Sequence, residues 1–305
     1  MRPIERILSE WFKPVPDLLG YGAVYSVFLA SFDVCLRKTL KSETVNERLL
    51  LGVNFLGSGI LLSLVLWWSG IPSIQPNFWK AFAITAILNF FGQHAGYIAL
   101  RCEEASFIAP FSLLSPSLVL ITGFYVLGEK PSLIAGLGVL VSMAGLGYLV
   151  KSKAAYQRET FWQICKRKGV ILAFLQSLVF SIAFVYDKQA IVASSSLFFI
   201  ANINLLIGAT SLMAALFSND RASYKVFWAE RRALGPLIVF QSIGSALSMQ
   251  ALHYSLAAYA SSIKRIKALW VILLSGRFLG EEDLWRKGIA VGIMLSGMLL
   301  TILFG

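Results

Sequence analysis

The sequence predicts an all-α membrane protein of ten transmembrane helices, built as two inverted repeats of five. Three observations predict it: an apolar composition, ten apolar stretches of spanning length, and residue identities that recur at shifts of 152 and 150 positions. Of 305 residues, 57% are hydrophobic and 14% charged, and the mean hydropathy is +0.71, outside the balance of a water-soluble domain. A helix needs roughly 20 apolar residues to cross the hydrocarbon core, so each stretch is long enough to span it.

Taken in order, residues 1–17 carry Arg2, Glu5, Arg6, Glu10 and Lys13 before any long apolar run. That pattern excludes a cleavable signal peptide and reads as an interfacial lead-in. The first repeat, 18–150, holds spans near 18–40, 49–68, 79–100, 105–127 and 132–150. Pro110 and Pro116 fall in the fourth, where they should kink the helix and free backbone groups toward a cavity. A basic connecting loop, 151–168, leads to the second repeat, 169–305, with spans near 169–190, 196–217, 234–256, 258–279 and 284–304.

The closing helix of each half is rich in glycine: Gly136, Gly138, Gly145 and Gly147 in one, Gly288, Gly292 and Gly297 in the other. Small residues let helices approach closely in lipid, so these positions are expected to pack helix against helix. The turns Gly128-Glu129 and Gly280-Glu281 are expected to cap the helices that follow them.

The duplication is direct. A shift of 152 superposes Ala99-Leu100 on Ala251-Leu252, Leu127-Gly128-Glu129 on Leu279-Gly280-Glu281, and Gly145 on Gly297; a shift of 150 superposes Ser31 on Ser181 and Lys38 on Lys188. Because each half has an odd number of spans, the second enters the membrane from the opposite side. Two inverted halves can rock about a site near the midplane and open it to each face in turn.

The loops after odd-numbered helices hold eighteen of the 27 Lys and Arg residues, the opposite side holds six, and three lie inside the ninth helix. The positive-inside rule therefore puts the odd loops in the cytoplasm and both termini outside. Topology thus accounts for most of the net charge of +11, and nucleic acid is not needed as a partner. Cys35, Cys102 and Cys165 are scattered and odd in number, which argues against disulfides and metal. No cofactor is expected. No zinc motif, nucleophile elbow or clustered acid/base pair points to an enzyme.

The two five-helix halves, the Gly-Glu turns and the Gly-rich closing helices together resemble the EamA-like branch of the drug/metabolite transporter superfamily, over nearly the whole chain. The resemblance implies a ten-helix secondary carrier without a nucleotide motor, and no Gly-x-x-x-x-Gly-Lys-Ser/Thr loop is present. It also implies both termini in the cytoplasm, opposite to the charge tally.

The most informative stretch is Ser261-Ser262-Ile263-Lys264-Arg265-Ile266-Lys267, which sets three cations within one turn of an apolar helix. A Lys or Arg at the bilayer centre costs on the order of 2.5–3.5 kcal/mol on insertion scales. Lys264 and Lys267 project roughly 60° apart and Arg265 roughly 100° from Lys264, so at least one should face the bundle interior. An interior cation needs a partner, and an anionic substrate is the natural candidate.

The pair Lys264-Arg265 is similar to a Lys-Arg pair of the plastid triose-phosphate/phosphate translocators, where it binds the substrate's phosphate. Tyr186-Asp187-Lys188-Gln189-Ala190-Ile191 resembles their Tyr-Ser-Lys-Lys-Ala-Met segment, which implies Lys188 as a further anion ligand. Asp187 and Gln189 depart from that pattern and lower the local charge, and Lys267 is additional. Lys38 joins the set through its match to Lys188.

Asn89, Gln93 and His94 in the third helix, with Gln241 and Gln250 in the eighth, are candidates for substrate contact or for hydrogen bonds between helices; Asn89 superposes on Gln241. His94 is also a candidate for proton coupling. Asp33, the carboxylate well inside the first helix, is expected either to relay a proton or to serve as counter-charge to the ninth-helix cations.

The leading expectation is a secondary-active carrier of a small organic anion, phosphorylated or carboxylated, in the plasma (inner) membrane. Empty, its site would hold several repelling cations, which would favour exchange over uniport. The alternatives are an EamA-type exporter of amino acids or other neutral or cationic metabolites, and a membrane protein that binds or flips lipid headgroups. The expected partners are the metabolite and membrane lipid.

Overall fold

Our structure is a computed structural model that describes residues 18–41, 45–115, 118, 132–152, 160–217, 231–254 and 266–304. Lys264, Arg265, Pro116 and Glu129 lie outside these residues. Among the described residues there is no strand. The helices are α1 (Leu18–Leu40), α2 (Glu47–Ser69), α3 (Asn77–Cys102), α4 (Ala105–Ile108), α5 (Leu133–Ser152), α6 (Lys168–Val192), α7 (Ser196–Leu216), α8 (Arg231–Tyr254), α9 (Lys267–Leu279) and α10 (Leu284–Phe304), with a one-turn helix Phe161–Cys165 before α6.

Local chemistry sets several boundaries. Asn46 starts α2 by accepting from the backbone N–H of Arg48 (2.9 Å) and Leu49 (3.3 Å), and Ser195 starts α7 by accepting from Phe198 (3.2 Å). Gly280 ends α9 at φ 65, a left-handed geometry that glycine adopts without a Cβ penalty. At Pro110 the α-helix α4 passes into a 3-10 helix, Ala109–Leu114, because proline has no N–H to continue the ladder and its ring crowds the preceding turn. The Phe111 carbonyl in that segment accepts from the Ser177 hydroxyl of α6 (2.9 Å).

Helices α2, α6 and α7 are long and apolar enough to cross hydrocarbon on that ground alone. Their outward faces are apolar too: Leu64, Trp67 and Trp68 on α2 and Phe174 and Leu175 on α6 are exposed, the arrangement that lipid favours and water does not.

The helices pair across the two halves, α2 with α7, α3 with α6, α5 with α10, and α1 with α8 and α9. Superposing one half on the other exchanges the α1–α8 and α3–α6 pairs and returns α2–α7 and α5–α10 to themselves. The last two pairs therefore straddle the pseudo-two-fold axis. In α2–α7 a Cβ added to Gly59 would lie 2.7 Å from the Leu205 backbone nitrogen, and one added to Gly208 would run into the Leu56 backbone. In α5–α10 the same holds for Gly297 against Ser142 (2.5 Å) and Gly145 against Met294 (3.0 Å). The packing expectation is thus narrowed: Gly136, Gly147, Gly288 and Gly292 face open space rather than a neighbouring helix. Polar pins reinforce the centre. Asn54 of α2 donates to Tyr97 of α3 (3.0 Å), while Asn204 of α7 and Ser242 of α8 both donate to Ser58 of α2 (3.0 and 2.9 Å).

A charged joint fastens the α3–α4 corner of the first half to the α9–α10 corner of the second. Glu281 accepts from the N–H groups of Ala105 and Ser106 (2.9 Å each) and from the Ser106 hydroxyl. Lys287, almost wholly buried, donates to Glu104 and to Ser106 (2.7 Å each). Glu281 therefore caps α4 across the molecule rather than the helix that follows it, because the left-handed Gly280 turns the chain back toward α4. Burial pushes the Glu281 carboxyl up, but the Ser106 hydroxyl, the two backbone N–H groups and Lys287 together hold it below the usual carboxylate range.

Candidate functional site

A cavity of about 180 Å3 opens between the halves, lined by α1, α2, α3, the 3-10 segment, α6, α7, α8 and α9. Its polar groups include Asp33 from α1, Asn89 and Gln93 from α3, Gln176 and Asp187 from α6, Asn204 from α7, Gln241 from α8 and Lys267 from α9, with hydroxyls from Ser112 and Ser115 beside Pro110 and from Ser177, Ser245 and Ser248. Phe32, Phe55, Phe180 and Phe199 supply apolar wall. Such a lining, in which polar side chains converge between aromatic and aliphatic walls, suits a small polar molecule.

Two arrangements organise it. Lys267 lies 2.9 Å from Asp33, and both side chains are only partly exposed (19% and 14%). The counter-charge that the ninth-helix cation requires thus comes from α1, which packs directly against α9. Across the cavity, Thr85 donates to Asp187, while Asn89 donates to the Thr85 hydroxyl (2.8 Å) and to Asp187 (3.3 Å). This holds the α6 carboxylate against α3 at the cavity edge.

Asp187 and Lys188 are adjacent, so they project roughly 100° apart, and only Asp187 lines the cavity. Lys188 turns instead to the last turn of α8, where it donates to the carbonyls of Leu252 and, at 3.3 Å, His253. A cation at a helix C-terminus satisfies orphan carbonyls and complements the macrodipole. Arg37 does the same for α3, donating to Leu100 (2.5 Å) and Arg101 (2.7 Å). Leu100 and Arg101 superpose on Leu252 and His253 under the 152-residue shift. The structural counterpart of Lys188 is therefore Arg37, and Lys38 is exposed.

Of the residues singled out from the sequence, the structure brings Asp33, Asn89, Gln93, Gln241 and Lys267 to one cavity. Lys38, Lys188, His94 and Gln250 stand outside its lining. His94 places Nδ1 2.8 Å from the Phe90 carbonyl and its ring 4.3 Å from that of Phe90. Asp187, Thr85 and Gln176 were not anticipated. The signal for Asp187 was available, since it is a carboxylate inside an apolar span, the feature that marked Asp33. Among the described residues no cluster of His, Cys, Asp and Glu could hold a metal ion.

A family model described as "EamA-like transporter family" matches residues 18–150 and again 167–303. A solved structure described only by the words "Crystal structure of protein" aligns with a TM-score of 0.65 at 15% identity, over 94% of this chain and 97% of that one, a likeness of fold alone. No curated protein matches the chain.

Proposed function

Because the chain belongs to the EamA-like transporter family, and is thereby an integral membrane transporter of small molecules rather than an enzyme, we propose that it moves a small polar metabolite by alternating access through the cavity between its halves. Ten spans, five in each half and of opposite orientation, give the rocking motion its symmetry. The axial pairs α2–α7 and α5–α10 support this reading, since the halves can turn about them. The plasma (inner) membrane is the proposed location.

The substrate class we favour is an organic anion, carboxylated or phosphorylated, and the observation that carries it is the ammonium of Lys267 inside the cavity. An incoming carboxylate or phosphate competes with Asp33 for Lys267, and the released Asp33 then needs a proton or a cationic group of the substrate. The same ion pair alters the argument for exchange. With Asp33 in place, Lys267 is neutralised when the site is empty, so charge repulsion as a bar to empty return rests on Lys264 and Arg265. Exchange remains part of the proposal on that ground alone.

One observation favours the second reading, an exporter of amino acids or other neutral or cationic metabolites. Two carboxylates, Asp33 and Asp187, border the cavity beside the single lysine Lys267 among its described lining. Purified protein in liposomes separates the two. Uptake of phosphorylated or carboxylated metabolites that is lost in Lys267→Gln and kept in Asp187→Asn supports the anion. Transport of aminated metabolites that is lost in Asp187→Asn and kept in Lys267→Gln supports the second reading and sinks the first.

A further inference from the structure

At the membrane face where α1 and α3 end and α2 and α6 begin, a second cleft of about 630 Å3 is lined by Arg37, Lys41, Glu47, Arg101 and Lys168, together with Leu40, Ile98 and Cys102. It shares no lining residue with the central cavity. Four cations face one carboxylate. Arg101 is paired with Glu47 and Arg37 has Glu281, Glu104 and Glu103 for counter-charge, so the positive charge that the cleft presents is carried by Lys41 and Lys168. Their bonds use little of their donor capacity. Arg37 spends one nitrogen on the α3 carbonyls, and its buried Nε has no hydrogen-bond partner among the described residues. Lys41 gives one bond to the Leu279 carbonyl (3.2 Å), and Lys168 is exposed. Lys168 also opens α6, whose N-cap residue Arg167 supplies no side-chain cap and pairs with Glu103 (3.6 Å).

We propose that this cleft binds a phosphate ester, supplied by the headgroup of an anionic phospholipid. Guanidinium and ammonium groups with free donors, gathered in a cleft, are the elements that hold phosphate. Position selects the lipid: four helix ends define the level of the headgroups, and Leu40 and Ile98 lie where the glycerol and upper acyl chain would rest. The site is independent of what the central cavity carries.

The test uses the purified, delipidated full chain in neutral detergent, titrated with short-chain phosphatidylglycerol, short-chain phosphatidylcholine or inorganic phosphate. Binding is read by thermal shift and by native mass spectrometry of retained lipid. Phosphatidylglycerol should raise the unfolding temperature saturably and phosphatidylcholine should not. K41Q/K168Q should weaken the effect about fivefold per cation removed, and K41R/K168R should keep it. Both lysines are exposed, so neither variant disturbs the packed interior. Equal stabilisation by the two lipids, or an unchanged response in K41Q/K168Q, overturns the proposal. Stabilisation by inorganic phosphate that matches phosphatidylglycerol and vanishes in K41Q/K168Q keeps the phosphate site and overturns the lipid as its source.

Discussion

Two lysines of the second half reach carboxylates of the first, and their settings differ. Lys287 is sealed between the α3–α4 and α9–α10 corners, 2% exposed, with Glu104 and Ser106 as partners and Glu281 close by. Lys267 stands at the cavity wall, 19% exposed, against Asp33. A buried charge with several fixed partners holds structure together, because removing one group strands the others away from water. A charge pair that borders a cavity can trade its partner for a ligand at little cost, since water and polar groups wait on one side. In the sequence Lys267 falls inside an apolar stretch and Lys287 at the start of one, and only the tertiary surroundings distinguish a sealed fastener from a charge that borders the cavity.

The largest expected effect tests the fastening. Lys287→Met should lower stability by about 3 kcal/mol, read as a fall in unfolding temperature in detergent. An unchanged temperature would place Lys287 in the same class as Lys267 and erase the contrast. Next comes Glu281→Gln, expected to cost about 1–2 kcal/mol by weakening charge-assisted bonds to the α4 N-terminus. Because the folded carboxyl sits below its ordinary value of 4.5, its contribution is complete above that pH and is lost as pH falls through the lower folded value. The gap in unfolding temperature between wild type and Glu281→Gln should therefore close on acidification below pH 4.5 and stay open at neutrality. A gap independent of pH would deny the charge its part.

Smaller in stability but decisive for transport is Lys267→Gln, expected to change stability by about 1 kcal/mol while abolishing uptake of the anionic substrate. A protein that unfolds early with transport per folded molecule intact would make Lys267 a second fastener. Smallest of all is Lys38→Gln, since the side chain is exposed and outside the cavity. Transport and unfolding temperature should match the wild type, and a loss of uptake would return Lys38 to the site.

Much of the fold was legible because lipid imposes simple rules. Spans such as α2, α6 and α7 announce themselves by length and apolarity, and the duplication is visible in residues such as Gly145 and Gly297, which the structure sets at one helix contact. The lining of the candidate cavity was legible in part. Asn89 and Gln241 superpose by the repeat and both reach the cavity, as do Asp33 and Lys267. Lys188 was matched to its repeat mate one residue out of register. On a helix one residue is about 100° of rotation, enough to exchange a cavity for a neighbouring helix end.

The sequence by itself determined that this chain lives in lipid, that it is doubled, and that grouped charges inside apolar helices require partners. These follow from composition, periodicity and the cost of burying charge, which act on each segment alone. Tertiary structure alone decided which partner each charge obtained: Asp33 for Lys267, a helix C-terminus for Arg37 and Lys188, a corner of the other half for Glu281 and Lys287. The reason is geometric. These partners lie between 63 and 234 residues apart in the chain, and a hydrogen bond reaches only across the few ångströms that packing brings together.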